Sequence, residues 1–416
     1  MGEQVFRLLV GLGVGVWIAR LLGPARFGQL SYAIAFAAIF GVVATLGLNR
    51  ILVRELVSTS HQHGAADRLM STAFAMRLIA AAAMYAIAVL GAWLAGDRQL
   101  MLIGLIAGGF FFNASDCVEL YFQSKVQART TARVRLLSFS AVSCVRIALL
   151  LAEADVIAFA AIVLLEAAGA AFVLQIAYRR SAGRFSASSV DWYLARKLIA
   201  ESWPEIIAGF SAILFMRMDQ IMLQHMAGPE AVGIFAVAAR LSEAWYFIPS
   251  AIIASTFPGI VVARGKDARQ YMKNLQHLML LLCIISYCAI IVVTVLAEPA
   301  IEILYGESYK ESATILIVHI WCGLFVSLGL ASGSWIMAEK KVRLNLYRNL
   351  TGLAANIALN LLLIPRLGAL GAAYATLGAL IVAFFAFDMF SPPMREISKR
   401  KWRALFILPA ALPAKD

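Results

Sequence analysis

Apolar and polar positions fall in blocks along this chain. Runs of about 20 mostly apolar residues, the length at which a helix crosses the hydrocarbon core of a bilayer, alternate with short stretches where Arg, Lys, Ser and Gly collect. The blocks predict twelve membrane-spanning helices, at residues 4–20, 29–49, 72–95, 99–122, 136–152, 156–178, 198–224, 231–257, 276–297, 312–337, 345–364 and 368–391, numbered here as spans 1 to 12. The longest polar stretch, residues 179–197 (RRSAGRFSASSVDWYLARK), lies between spans 6 and 7. The expected fold is therefore an all-α polytopic membrane protein. It has an N-terminal six-helix bundle at 1–178, a basic linker at 179–197, a C-terminal six-helix bundle at 198–391 and a basic, cytoplasmic or interfacial tail at 392–416. No small-residue cleavage site follows the first apolar run, so that run is expected to stay in the fold.

A short motif recurs at the same place in both halves. LLGPARFG joins spans 1 and 2, and HMAGPEAVG joins spans 7 and 8, each carrying Gly-Pro-x-x-x-Gly: Gly23, Pro24 and Gly28, then Gly228, Pro229 and Gly233. A single Gly-Pro only marks a turn. Its return at an equivalent point suggests two pseudo-symmetric halves, as in transporters built from repeats. These turns are candidate hinges, or ordinary tight turns.

Charge sets the orientation. The connections after even-numbered spans hold 25 Lys and Arg, from Arg50 to Arg403, and those after odd-numbered spans hold five: Arg20, Arg26, Arg98, Lys310 and Arg366. The positive-inside rule then predicts both termini on the cytoplasmic side. A composition of 62% hydrophobic and 14% charged residues, with mean hydropathy +0.82, agrees with a membrane protein. The net charge of +12 reads as orientation and attraction to anionic lipid, not as a nucleic-acid footprint. The five cysteines sit in apolar runs without CxxC spacing and read as small core residues.

Ionisable side chains within spans are expensive and tend to face a cavity or a partner. In span 4, Asn113, Asp116, Glu119 and Gln123 share an arc of about 120° on a helical wheel. Asp116 and Glu119 are candidates for a proton or cation site, or for pairing with Arg146 or Arg77 between helices. Arg77 also has the option of snorkelling to the surface. Span 7 carries Arg217, Gln220 and Gln224 on one face, with Asp219 about 200° from Arg217 and in need of a partner elsewhere. Span 11 aligns Asn345, Asn349, Gly352, Asn356 and Asn360 in a narrow stripe, suited to interhelical hydrogen bonds or to a sugar-contacting wall. Glu3 and Arg7, and Arg240 and Glu243, have the spacing of local helix pairs. His319 in span 10 reads as a core or cavity histidine, and His61-Gln-His63 as a loop pair. No catalytic triad, phosphate loop or HExxH motif is present in the sequence, and no metal or cofactor is expected.

Three stretches carry a family resemblance: VGVWIARLLGPARFGQLSYAIAFAAIFGVVATLGLNRILVREL, RMDQIMLQHMAGPEAVGIFAVAARLSEAWYFIP and NIALNLLLIPRLGALGAAYATLGAL. They resemble bacterial polysaccharide-biosynthesis flippases of the Wzx type, in the superfamily that also holds multidrug extruders and the lipid II flippase. Members of that family usually carry further residues ahead of the position of Glu3. The resemblance implies two bundles around a central cavity in the bacterial inner membrane, opening to each side in turn. It implies an undecaprenyl-diphosphate-linked oligosaccharide as cargo, with polysaccharide polymerase and export proteins as candidate partners. On that reading Arg217, Arg146 and Arg77 are candidates for the diphosphate, Gln220, Asn356 and Asn360 for the head group, and Asp116, Glu119 and Asp219 for coupling to protons or sodium. The nearest alternative is a cation-coupled multidrug antiporter of the same architecture. A membrane glycosyltransferase is disfavoured by the short outer connections.

Overall fold

The computed structural model describes residues 2–59, 64–181, 185–341 and 343–408; these form helices and short connections, without a strand. His61 and His63, and the chain from 409 onward, lie outside the described residues. Eight stretches are long and apolar enough to cross a membrane. Three of them, Phe6–Ser58, Trp192–Gly265 and Arg343–Phe390, are broken at Gly23, Gly228 and Gly368. Divided there, and joined by the Arg-bearing helix Ala128–Leu151, they make the twelve expected spans among the described residues.

The breaks follow from length and backbone sterics. A straight 43-residue helix over Gly2–Ala44 would be about 65 Å long, twice the hydrocarbon core. Gly23 interrupts it at φ 69°, ψ 170°, and Gly228 interrupts Trp192–Ala244 at φ 88°, ψ 176°. This is a region that residues with a Cβ avoid. Pro24 and Pro229 then open the next helix, where a missing N–H costs nothing. Gly28 and Gly233 are buried one turn further on.

The chain packs as two compact units, Met1–Arg217 and Met218–Asp416. The division falls within span 7, not at the polar linker. The helix of span 7 starts at Trp192, so Arg196 and Lys197 belong to it. Its first turns pack in the first unit, where Arg54 pairs with Glu201 at 2.5 Å and Arg50 with Glu205 at 3.6 Å. The described part of the linker is docked, too. Phe185 stacks between Phe74 (4.5 Å) and Tyr178 (4.7 Å), and the amides of Ser186 and Asp191 donate to Ser71 and Thr72 of the helix Ala65–Leu94. Beneath it lie Leu52, Met70, Cys117, Val118 and Leu174.

In the second unit Leu275, Met279, Leu282, Leu324 and Leu328 build the core. The tail is not a loose basic segment. Helix Arg395–Leu405 buries Ile397, Lys401 and Ala404, Trp402 meets the Phe385 ring edge-on at 4.8 Å, and Tyr287 donates to the Leu405 carbonyl at 2.9 Å. Arg348, counted from sequence as a connection residue, is likewise 1% exposed inside the unit. Its guanidinium forks onto Asp388, through Nε at 2.7 Å and through Nη2, which also reaches Ser332 at 3.0 Å. Lys401 donates to the same carboxylate at 2.6 Å and to the Phe384 carbonyl at 2.5 Å. Phe384 lies in a π-helical turn, Val382–Ala386, just before Asp388.

Candidate functional site

A buried polar site in the second unit centres on Asp219. Asp219 is 3% exposed, on the side of span 7 that the wheel turned away from Arg217. Its missing partners are the asparagine stripe of span 11. Asn356 and Asn360, both fully buried and one turn apart, donate to Asp219 Oδ1 at 2.6 and 2.7 Å. Thr376 of span 12 stands beside Oδ2, with Oγ at 2.7 Å, and also lies 2.9 Å from the Ala372 carbonyl. Its single hydroxyl hydrogen favours the charged acceptor. Spans 11 and 12 come close because Gly371 has no Cβ: one built there would stand 2.4 Å from the Leu363 carbonyl.

The network leaves one oxygen over. Asn356 Oδ1 accepts from Asn360 Nδ2 at 3.0 Å, but Asn360 Oδ1 is buried without a hydrogen-bond partner. A buried orphan acceptor is costly. The same network gathers a carboxylate, an amide oxygen and a hydroxyl, all hard donors of the kind that suit a small cation. Among the described residues no three His, Cys, Asp or Glu stand together. A single carboxylate fits a monovalent ion or a proton better than a divalent metal.

The other sequence candidates fall into two groups. Arg217 is half-buried, Gln220 is buried, and Gln224 Oε1 is buried without a partner. In the first unit the polar stripe of span 4 surrounds a tight 3-10 turn, Ala114–Asp116, with Asn113, Asp116 and Gln123 exposed. Such mid-helix tightening often accompanies a functional hinge. Glu119 is not bound by Arg146 or Arg77. Arg135, one span on, holds both its oxygens. Arg146 instead pairs at 2.5 Å with Glu166, the lone acid of span 6. Arg77 does not snorkel: it is 2% exposed and donates to Asn49 at 2.6 Å, because Asn49 supplies an acceptor inside the unit. Arg7 lies 5.3 Å over the Phe139 ring. His319 is a core residue, edge-on to Phe235 at 5.7 Å.

Sequence reasoning missed Thr376, Glu166 and the Arg348–Asp388–Lys401 cluster. The signal was available for the acids: Glu166 and Asp388 are each the only charged residue in their spans, and each therefore needs a cation.

Comparison with known proteins places this geometry. The family described as "Polysaccharide biosynthesis protein" matches residues 17–314. The capsular polysaccharide biosynthesis protein CapF of Staphylococcus aureus is 26% identical over 224 residues, half of this chain and 57% of its own length. The chain thus spans little more than half of that relative. Among solved structures, an inward-facing multidrug resistance MATE family transporter of the MOP superfamily superimposes with a TM-score of 0.75 at 15% identity, over 94% of this chain and 96% of the other. The lipid II flippase MurJ, in an inward closed conformation, gives 0.72 at 15% identity, over 97% and 90%. At these identities the two structures show a common fold.

Proposed function

Since the chain belongs to the polysaccharide biosynthesis protein family of multi-pass membrane transporters, we propose that it is a flippase for undecaprenyl-diphosphate-linked oligosaccharide. The cargo is an O-antigen, capsule or exopolysaccharide repeat unit, moved across the bacterial inner membrane by alternating access, with both termini cytoplasmic. The observation that carries the reading is the family match over residues 17–314, joined to the capsule-biosynthesis relative.

A diphosphate cannot cross hydrocarbon unaided. Arg217, half-buried and two residues before Asp219 in span 7, is the first choice to hold it, because a guanidinium meets phosphate oxygens through two parallel hydrogen bonds. Arg146 and Arg77, engaged by Glu166 and Asn49 here, serve the cargo only in a state where those contacts open. Gln220 and the exposed stripe of Asn113, Asp116 and Gln123 contribute hydrogen bonds to the sugar. Asp219, Asn356, Asn360 and Thr376 hold the coupling proton or sodium ion. Protonation or ion binding at Asp219 changes the hydrogen bonds that join spans 7, 11 and 12, which biases the second unit towards one conformation. The Gly23 and Gly228 breaks let half-helices rock. No catalytic residues are assigned, and polymerase and export proteins are the expected partners.

A cation-coupled multidrug antiporter is the second reading, favoured by the fold shared with a MATE transporter. A deletion strain separates them. Loss of lipid-linked sugar polymer, restored by the gene in trans, supports the flippase; intact polymer with drug hypersensitivity overturns it.

A further inference from the structure

A half-open cavity of about 560 Å³ in the first unit is lined by none of the residues assigned above. Its walls are Leu46 at the end of span 2, Met76, Ala80 and Met84 along span 3, and Trp192 and Arg196 at the start of span 7. We propose that it binds one anionic phospholipid of the cytoplasmic leaflet, with an acyl chain in the cavity and the phosphate on Arg196. The assignment rests on the cytoplasmic placement of this end of the unit and not on the identity of the cargo.

Three features match that occupant. The first is charge. The acids nearest to Arg196 along its helix are engaged elsewhere: Asp191 accepts from the Tyr193 and Leu194 amides, Glu201 pairs with Arg54 and Glu205 with Arg50. Arg196 and Lys197 are exposed; Glu201 faces Lys197, and Arg196 is the charged residue in the lining of the apolar cavity. Anionic lipids concentrate on that leaflet, and a guanidinium takes a phosphate by two hydrogen bonds.

The second is depth. Met76 to Met84 rises about 12 Å along the helix, close to the roughly 15 Å of one leaflet's hydrocarbon. Trp192, 64% exposed at the charged end, is where an interfacial aromatic belongs.

The third is volume. Taking a methylene as about the size of a water, roughly 30 Å³, the cavity takes about 19 carbons. That is one acyl chain.

The test is native mass spectrometry of the full chain released from nanodiscs of equal phosphatidylglycerol and phosphatidylcholine, doped with undecaprenyl diphosphate. Wild type should retain one phosphatidylglycerol. Arg196→Gln should weaken retention about fivefold, the factor for losing one interfacial cation, and Arg196→Lys should restore most of it. Ala83→Phe, which fills the cavity, should abolish retention while the thermal midpoint stays put. Equal retention of both lipids, or retention unchanged in both Arg196→Gln and Ala83→Phe, overturns the site. Retention of undecaprenyl diphosphate in place of phosphatidylglycerol overturns the phospholipid assignment.

Discussion

Replacing Asp388 by Asn should be among the most destabilising single changes in this protein. Asp388 is fully buried and faces two cations, Arg348 at 1% side-chain exposure and Lys401 at 1%. Removing its charge leaves both buried without a counter-ion. Breaking one buried pair by deleting a partner costs about 3–5 kcal/mol. For a unit of this size each kcal/mol lowers the melting point by about 2–4 °C, so Asp388→Asn should lose about 6–20 °C in a detergent thermal-shift assay run near pH 6, where Lys401 of the wild type keeps its proton. Lys401→Met removes the surplus cation and leaves Arg348 and Asp388 balanced, so its loss should be much smaller. The double variant Asp388→Asn/Lys401→Met should sit above Asp388→Asn alone, since one stranded charge is gone. A shift under about 2 °C for Asp388→Asn, or a larger loss for Lys401→Met, would refute the reasoning.

Three further outcomes follow from the same structure. Burial, with Arg348 beside it, pushes the Lys401 ammonium down from its ordinary 10.5 to about 7; between those values the unfolded chain binds a proton that the folded one does not, so wild-type stability should rise with pH from about 7 to 10.5, and a Lys401→Met protein whose pH–stability curve has the same slope would contradict this. Gly228→Ala, at φ 88°, should cost about 1–3 kcal/mol, whereas Gly11→Ala, whose Cβ would meet nothing within 4 Å, should be neutral or stabilising; equal melting points for the two would count against the strained break. Asp219→Asn should flatten the dependence of transport on sodium or pH gradients while leaving the fold intact, and an unchanged gradient dependence would remove Asp219 from coupling.

Much of this was legible from the chain because membrane insertion writes its rules locally. Span length, the Lys and Arg asymmetry and the Gly-Pro breaks each depend on residues close in sequence, and the helices stand where the apolar blocks fall. The asparagine stripe of span 11 was legible as a face, and Asp219 as a carboxylate needing a partner. Their meeting was not, because residues 219 and 356 are joined only by tertiary packing. The same limit applied to Arg348 and Lys401. Near the ends of apolar runs, a buried cation and a solvated one look alike until the carboxylate that holds them, Asp388, is found in space. Arg135 looked like part of a connection for the same reason, although helix Ala128–Leu151 already encloses it and Glu119 holds it.

The central claim is movement of a lipid-linked sugar, and its most direct test is in proteoliposomes. Purified protein is reconstituted with undecaprenyl-diphosphate oligosaccharide bearing a labelled sugar, and the label reaching the opposite leaflet is measured for wild type and for Arg217→Ala. The account predicts transfer by wild type and its loss in a folded Arg217→Ala. Absence of transfer across several lipid-linked sugars, with export of cationic dyes by the same vesicles, would contradict it.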